Sequence, residues 1–310
     1  MNASARMQKG VALIVALLVV ALATVLIAGL LDRGELAGAR TRNQLREAQA
    51  QAYALGLEAY AAKVLTQDQA QGSGIDAADS PWAVPLPPTP VPAGTISAVM
   101  GDLDGRFNLN NLDPVYDTQQ NWRQKFILLL QALKLDPKLV DEIVAWMSAA
   151  ASTNAASDVY YLAQPVPYRA ARREFAHVSE LRLVHGIDGD IYTALSPYVS
   201  ALPAGTTINV NTASVPVLMT LAPNVTAEMA QTIWQQGHAH FHSLADLTGT
   251  QPALRVIVCP ACYSWHSAYF LARGQITLDG LPFEFRSLIE RRANGSDGGV
   301  RVLQRSRGSD

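Results

Sequence analysis

The chain begins with an uninterrupted apolar segment that carries no charge from Val11 to Leu31. At about 1.5 Å per residue, a helix of this length can cross a hydrocarbon core of about 30 Å. A secretory signal has a shorter apolar region, of about 7–15 residues, which a small-residue cleavage site closes. No such site ends this segment, and the residues that follow continue a helical pattern. We therefore predict a membrane anchor that the mature protein keeps.

The charges that flank the anchor predict its direction. Arg6 and Lys9 precede it, and positive charge favours the cytoplasmic side. Arg33, Arg40 and Arg42 follow it and weaken this bias. We predict a single pass through the inner membrane, with a cytoplasmic N-terminus and the bulk of the chain in the periplasm.

Beyond the anchor, apolar residues recur at the spacing of one helical face. The stripe consists of Leu45, Ala48, Ala52, Leu55, Ala59, Ala62 and Leu65. Together with the anchor it predicts a helix of roughly 50 residues, longer than a usual globular helix. We expect the stripe to pack on a small sheet, and a membrane-proximal linker helix is the alternative. Residues 68–95 are rich in Gly, Ser and Pro and predict a loop.

Residues 96–112, ISAVMGDLDGRFNLNNL, predict a strand, a glycine turn and asparagine side chains that bond to nearby backbone. Asp102, Asp104 and Gly105 weakly resemble a calcium loop, but the further oxygen ligands and the later Glu of such a loop are missing. We interpret these residues as a turn. Amphipathic helical patterns follow in residues 114–203.

A second asparagine motif, INVNTA, begins at Ile208. Thr212 can cap the helix that follows, and Asn209 and Asn211 are expected to hold the turn into that helix. The pattern then predicts two short helices. Three β-rich segments end the chain and predict antiparallel strands that complete the sheet.

The two cysteines, Cys259 and Cys262, are spaced as CPAC. In an oxidising periplasm such a pair can close a small local disulfide, and two free thiols are the alternative. Redox catalysis needs a thioredoxin-like βαβ context, and a zinc site needs a second cysteine pair. The sequence offers neither, so we predict no metal at this pair.

Three histidines, His238, His240 and His242, lie at a spacing of two. On a strand they would share a face and could bind a metal. In a loop between helices they are solvated side chains, and this is the interpretation that we favour. Phe241 is then the anchor of the turn.

Composition and motifs limit the class of function. The 310 residues carry a net charge of −2, whereas a dedicated nucleic-acid binder usually has a basic face. The chain contains no nucleophile elbow, no Walker loop and no H-E-x-x-H motif. We predict a protein that is not an enzyme and acts by assembly.

The junction QKGVALIV resembles the leader of type IV pilin-like proteins, in which a short basic peptide ends in glycine before the apolar helix. The resemblance implies that a prepilin peptidase cuts between Gly10 and Val11, that Val11 is N-methylated and that the helix is kept. Most pilins and pseudopilins carry Glu at the fifth mature position, where this chain has Val15. A carboxylate inside a bilayer is costly unless it is paired. A subunit without it fits poorly in the shaft of the fibre.

The asparagine motifs carry the most specific resemblance. They are similar to the signature of type II secretion system minor pseudopilins of the K class, and the resemblance extends over nearly the whole chain. The matching residues are Gly105, Arg106, Phe107, Asn108, Asn110, Asn209, Asn211 and Thr212. The resemblance implies an α+β fold. A pilin-like long N-terminal helix packs on a small antiparallel sheet, and a large α-helical domain of SAM-like hairpins is inserted.

This resemblance also implies five parts along the chain. They are a leader peptide (1–10), the transmembrane part of the N-terminal helix (11–31), a pilin-like part with helix, loop and first strand (32–112), the inserted α-helical domain (113–250) and the C-terminal strands (251–310).

The K class usually carries an acidic run of the type D-W-x-D-x-D. The matching residues here are Ala145, Trp146, Met147, Ser148, Ala149 and Ala150, with Asp158 and Tyr160 nearby. Calcium needs several oxygen ligands, usually with carboxylate charge. Calcium is possible in the family, but without its acidic run we expect no cofactor in this chain.

The implied function is that of a minor pseudopilin at the tip of the pseudopilus, which helps to initiate or cap assembly and supports protein export across the outer membrane. The implied partners are the minor pseudopilins of the I and J classes, the major pseudopilin, the prepilin peptidase, inner-membrane lipid and the secretin or secreted cargo.

Two other functions are compatible with the sequence. A membrane-anchored DNA-uptake protein would bind phosphate at glycine turns of the hairpins. Gly186 and Gly189 offer such a turn, but Asp188 and Asp190 place negative charge in it, so we expect no nucleic acid. A periplasmic thiol or metal protein built on the cysteine pair is the second alternative.

Overall fold

The computed structural model describes residues 3–71, 74–148, 155–254, 257–292 and 299–308. The chain forms two compact units, Met1–Leu55 and Gly56–Asp310. Helix α1 spans Ala3–Gln71, and its 69 residues exceed the roughly 50 that the sequence predicts. Proline is absent from this stretch, and its many Ala, Leu, Gln and Arg residues favour a helix. Nothing in the sequence therefore stops the helix before the predicted loop, and the helix continues through the first four residues of that segment, 68–71.

The buried face of α1 differs from the predicted stripe. Leu57, Ala61 and Leu65 are buried, whereas Leu45 and Leu55 are 65% and 48% exposed. The prediction was wrong because alanine is so frequent here that two neighbouring faces both have helical spacing. Most of the predicted stripe is therefore an exposed surface.

Five antiparallel strands form one sheet. They are β1 (Leu86–Val91), β2 (Gly94–Asp102), β7 (Tyr269–Leu278), β8 (Leu281–Arg291) and β9 (Val300–Arg307). Their order across the sheet is β1-β2-β7-β8-β9. Ala61 and Leu65 of α1 pack with Trp82, Phe270 and Ile289 in the core on one face of this sheet. The three predicted C-terminal strands are therefore present.

Strand β1 corrects the prediction of a loop at residues 68–95. It contains Pro87, Pro88 and Pro90, and proline cannot donate a ladder hydrogen bond. The strand tolerates these residues because it lies at the edge of the sheet and pairs only with β2.

The chain between β2 and β7 is mainly helical. Its helices are α2 (Asn121–Ala132), α3 (Leu139–Met147), α4 (Ala155–Leu162), α5 (Gly189–Leu195), α6 (Val215–Leu218), α7 (Ala227–Trp234) and α8 (Leu244–Thr250). They share a hydrophobic core that includes Phe107, Phe126, Ile143 and Ile233. This core is distinct from the core of the sheet.

Two short parallel strand pairs divide the helical part. Their strands are β3 (Phe107–Asn108), β4 (Val199–Ser200), β5 (Ile208–Asn209) and β6 (Tyr263–Ser264). Strand β3 pairs with β4, and β5 pairs with β6. Each pair therefore closes one helical unit, which we call the first helical unit (107–200) and the second helical unit (208–264). The sequence did not predict these strands, and the five predicted domain limits stay predictions.

Candidate assembly site

The first asparagine pair joins segments that are distant in sequence. Asn108 Oδ1 accepts the backbone N–H of Asn110 at 3.1 Å and of Leu202 at 3.0 Å. Asn110 Oδ1 accepts the N–H of Phe175 at 2.7 Å, and its Nδ2 donates to the C=O of Phe175 at 3.0 Å. Both asparagines are buried. The sequence predicts only the bond to nearby backbone, which Asn108 accepts from the N–H of Asn110. The bonds to Leu202 and Phe175 join distant segments and were not predicted.

The second pair repeats this geometry. Asn209 Oδ1 accepts the N–H of Asn211 at 3.0 Å, and its Nδ2 donates to Ser267 Oγ at 2.7 Å. Asn211 Oδ1 accepts the N–H of Phe241 at 2.7 Å, and its Nδ2 donates to the same residue's C=O at 3.0 Å. In each helical unit, the second asparagine therefore binds both backbone groups of one phenylalanine.

The repeat extends to the helical turn after each phenylalanine. In the first helical unit, His177 accepts the N–H of Ser179 at 3.2 Å, and Glu180 accepts the N–H of His177 at 3.2 Å. In the second, Ser243 Oγ accepts the N–H of Asp246 at 3.2 Å. Such side-chain bonds satisfy backbone donors that a helix start leaves free. The asparagines therefore fix the position of a capped turn.

Sequence reasoning singled out Phe241 but missed Phe175. The signal that could have found it is a shared spacing: a phenylalanine, a capping residue two positions later and an acidic residue three positions after that. The two instances are Phe175, His177, Glu180 and Phe241, Ser243, Asp246.

The turn after β2 packs closely on the second asparagine motif. Thr212 Oγ1 donates to Asp102, which also accepts the N–H of Asp104 at 2.8 Å and of Gly105 at 3.0 Å. A Cβ on Gly105 would lie 2.6 Å from Thr212 Oγ1 and 2.7 Å from its carbonyl oxygen, so a side chain does not fit. The predicted cap at Thr212 is wrong, because Ser214 is the N-cap residue of α6. The hydroxyl of Thr212 holds the turn instead.

Buried carboxylates lie beside this turn. Asp104 is 4% exposed, and its Oδ2 accepts the N–H of Tyr269 at 3.1 Å. Burial raises the pKa of Asp104 well above its usual range, and the charge of Asp102 raises it further. Burial also raises the pKa of Asp102, to about 6. The residues that the structure describes hold no group of three or more His, Cys, Asp or Glu side chains suited to a metal.

Arg291 binds two other carboxylates near this turn. It pairs with Asp76 and lies 3.1 Å from Asp68 of α1. Asp76 also accepts from the indole N–H of Trp82 at 3.0 Å and from the N–H of Ser267 at 2.7 Å. These bonds tie the end of α1, the loop before β1 and strand β8 together. A cleft of about 590 Å³ opens beside them.

Arg106 and Phe107 of the first motif have separate surroundings. Phe107 is fully buried, with its ring centroid 5.8 Å from that of Trp122 and 5.0 Å from that of Phe126. Arg106 lines a cleft of about 290 Å³ that is bordered by the sheet and the first helical unit. Phe107 therefore anchors the core, while Arg106 faces a cleft.

An arginine from a later segment, Arg172, bonds to positions that correspond to the acidic run. Arg172 donates to the C=O of Ala145 at 3.3 Å and of Ser148 at 3.4 Å, and its Nη2 lies 2.9 Å from Asp158 Oδ1. Residues 149–150 lie outside the described part of the chain. Calcium needs several free oxygen ligands, whereas here a guanidinium binds the carbonyls and the nearby carboxylate. These residues do not fit calcium.

A buried lysine lies in the helical core, and sequence reasoning missed it. Lys125 is fully buried, and its Nζ donates to Tyr263 Oη at 2.7 Å and to the C=O of Val258. Desolvation lowers the pKa of Lys125 to about 7. The clue in the sequence is its place between Trp122 and Phe126 on an amphipathic helix.

The remaining candidates lie in turns. Cys259 and Cys262 are joined by a disulfide. His240 lies in a loop, with its Nε2 2.8 Å from Asp79 Oδ1, and the adjacent Phe241 is 4% exposed. A loop does not present the histidines on one strand face, so the geometry that would favour a metal is not present.

In the glycine turn considered for phosphate binding, the side chain of Asp188 occupies the start of the helix that follows. Asp188 Oδ1 accepts the N–H of Ile191 at 2.8 Å at the start of α5. This carboxylate takes the position that an anion would need at the helix start.

One helix in the described part of the chain is long and apolar enough to cross a membrane, Leu13–Ala70, with a mean hydropathy of 3.0 in its most apolar stretch. None of that stretch is buried. Val15, at the position of the missing pilin glutamate, is 52% exposed. Gly10 and Val11 belong to α1, and their exposure lies outside what the structure describes.

Comparison with known proteins identifies the family. Two models described as type II secretion system protein K match residues 105–204 and 208–257. These limits closely follow the two helical units. Type II secretion system protein K of Pseudomonas aeruginosa is 35% identical over 98% of this chain and 94% of its own length. The chain belongs to the type II secretion system protein K family.

A second relative and a solved structure support this assignment to the family. The protein of Pectobacterium carotovorum is 33% identical over 97% of each chain. A chain in the crystal structure of the GspK-GspI-GspJ complex from the enterotoxigenic Escherichia coli type II secretion system matches with a TM-score of 0.72 and 26% identity. The match covers 87% of this chain and 100% of that one. The predicted class of fold is confirmed, and the protein is a type II secretion minor pseudopilin.

Proposed function

We propose that this minor pseudopilin acts at the tip of a type II secretion pseudopilus, in a complex with minor pseudopilins of the I and J classes. The likeness to a chain of the GspK-GspI-GspJ complex carries the proposal, because it extends over 87% of this chain. A common fold over that length can present equivalent surfaces to equivalent partners. There the subunit would help to initiate or cap assembly and support protein export across the outer membrane.

The two helical units support an end position. They form a large body between β2 and β7, so the fold is much bulkier than one helix packed on a sheet. A subunit stacked above this body would collide with it. Val15 adds to the argument, since a subunit without a carboxylate at this position lacks the pairing partner that shaft subunits use.

The apolar helix supports an inner-membrane location with a cytoplasmic N-terminus. The prepilin peptidase would cut between Gly10 and Val11, and Val11 would be N-methylated. Val11–Leu31 would then contact lipid and the major pseudopilin. The helical units would face the secretin or the secreted cargo.

We assign no catalytic step to this chain, and assembly is its proposed mode of action. The Asp188 carboxylate at the start of α5 argues against phosphate binding there. Nucleic acid is therefore not among the proposed partners.

Co-purification tests this function. The full chain would be produced in detergent with the I- and J-class pseudopilins of the same system, and a labelled DNA duplex would be tested in parallel at physiological salt. We expect a stoichiometric ternary complex and no DNA shift. Absence of the complex together with salt-sensitive DNA binding would overturn the proposal.

A further inference from the structure

The cleft that contains Arg106 is strongly cationic. Arg106, Arg273 and Arg286 line it, and no Asp or Glu is among its lining residues. In the β7–β8 pairing, Arg273 lies directly opposite Arg286. Like charges in that position destabilise a sheet.

Nearby carboxylates have other partners. The acid that acts on Arg106 is Asp102, which already accepts from Thr212 and two backbone N–H groups. Glu180, beside the cleft, pairs with Arg173 at 3.2 Å. Within the described part of the chain, Arg273 forms no ion pair.

Glu284 lies two residues from Arg286 along β8, on the same face of the strand, and lines an adjacent groove together with Arg273 and Arg286. Burial and the neighbouring Arg273 guanidinium both lower the pKa of Arg106. Three arginines line the cleft itself, whereas the nearest acids, Asp102 and Glu284, lie outside its lining, so positive formal charge exceeds negative formal charge there.

A buried hydroxyl also lines the cleft. Ser200 is 2% exposed, and its Oγ has no hydrogen-bond partner in the described part of the chain. A buried polar group without a partner costs stability. The oxygen is itself enclosed, so it adds polarity to the wall of the cleft but does not itself contact a ligand.

The cleft remains accessible when α1 packs on the sheet. Gly274 faces Leu57 of α1, and Ser287 bonds to Glu58 of α1. Because successive residues of a strand point to opposite faces, Arg273 and its partner Arg286 lie on the other face.

We propose that this cleft binds a carboxylate side chain of a neighbouring pseudopilin subunit. Guanidinium groups bind carboxylates through two parallel N–H···O bonds. The volume of about 290 Å³ suits one or two side chains of a partner, and Leu103, Leu271 and Leu288 supply apolar walls around them. The proposal rests on the proposed assembly with I- and J-class pseudopilins.

Affinity measurements with the full chain in detergent test the proposal. Arg273→Gln removes an exposed charge and should weaken binding to the I–J pair by about tenfold or more, the loss expected for a charge-assisted hydrogen bond. Arg106→Gln is a second variant. The matched control is Arg301→Gln, because Arg301 lies on the same sheet outside the cleft and pairs with Glu290. Unchanged affinity of Arg273→Gln and Arg106→Gln would overturn the proposal.

Zero-length crosslinking identifies the occupant. Arg273→Lys keeps the charge and supplies an amine that a carbodiimide can couple to a carboxylate in contact. We expect an amide bond between residue 273 and an Asp or Glu of a partner, and none from Arg301→Lys. Crosslinks only within this chain, in a complex that still forms, would overturn the cleft assignment alone. Failure of the wild-type chain to form any complex would overturn the proposed function as well.

Discussion

Asn110 and Asn211 each bind one phenylalanine backbone as a neighbouring strand would. An amide side chain carries both a donor and an acceptor, so it can bond an N–H and a C=O of the same residue. Both amides are buried, and water cannot replace them. This explains why asparagine, and not aspartate or leucine, suits these positions.

Replacement of Asn110 tests this role. Asn110→Ala leaves the N–H and C=O of Phe175 without this partner and should lower the free energy of unfolding by about 2–4 kcal/mol, since each unsatisfied buried group costs about 1–3 kcal/mol. Urea denaturation measures the change. Asn43→Ala, at an exposed position of α1, is the control. Equal stability of both variants and the wild type would contradict the assignment.

Because of the buried Lys125, we predict that the free energy of unfolding increases with pH. Its pKa is about 7 in the folded protein and near the ordinary 10.5 in the unfolded chain. Between these values only the unfolded state binds the proton, so this group adds stability as pH rises. Relative to Lys125→Met, the free energy of unfolding of the wild type should increase from pH 7 to pH 9 by up to about 1.4 kcal/mol per pH unit. Parallel stability curves of the two proteins would refute this.

At the scale of elements, the sequence predicts those helices and strands that local residue patterns determine. The long helix follows from an apolar run and an alanine-rich stretch without proline, and β7, β8 and β9 follow from β-rich segments between turns. Strand β1 could not be predicted, because its prolines are compatible with a strand only at an edge. The buried face of α1 depends on which side meets the sheet, and two faces had suitable spacing.

The candidate site was predicted only in part for a related reason. The motif residues Asn108, Asn110, Asn209 and Asn211 stand out in the sequence, but their partners are distant segments. Thr212 has a side chain that suits a helix cap, and tertiary contact with Asp102 overrides this local preference. Long-range hydrogen bonds leave no periodic trace in a sequence.

The contacts of Arg172 lead us to predict that calcium does not stabilise the end of α3. Since its guanidinium binds Ala145, Ser148 and Asp158, neither calcium nor EDTA should shift the thermal unfolding midpoint of the wild type. Arg172→Met should lower that midpoint, because hydrogen bonds to a charged group contribute about 1.5–3 kcal/mol. Arg169→Met is the control, because Arg169 is 76% exposed and lies 3.9 Å from the same carboxylate. A rise in the wild-type midpoint on adding calcium would contradict the assignment.

At the scale of the whole molecule, processing of the N-terminus can be tested directly. Co-expression with a prepilin peptidase should yield a protein that lacks residues 1–10 and carries one added methyl group, because the basic leader ends in glycine before the apolar helix. Intact-mass spectrometry measures both changes. Gly10→Val should stay uncut, and an uncut wild type would instead indicate a simple signal anchor.

The two edges of the sheet have a consequence for the protein before it meets its partners. Prolines in β1 remove backbone donors at one edge. At the other edge, β9 carries the charged side chains of Arg301, Arg305 and Arg307, of which Arg301 pairs with Glu290 and Arg305 with Glu58. Both devices oppose edge-to-edge pairing with a foreign strand. A single subunit is thereby protected from aggregation through its sheet edges, and its association is left to surfaces other than the open ends of the sheet.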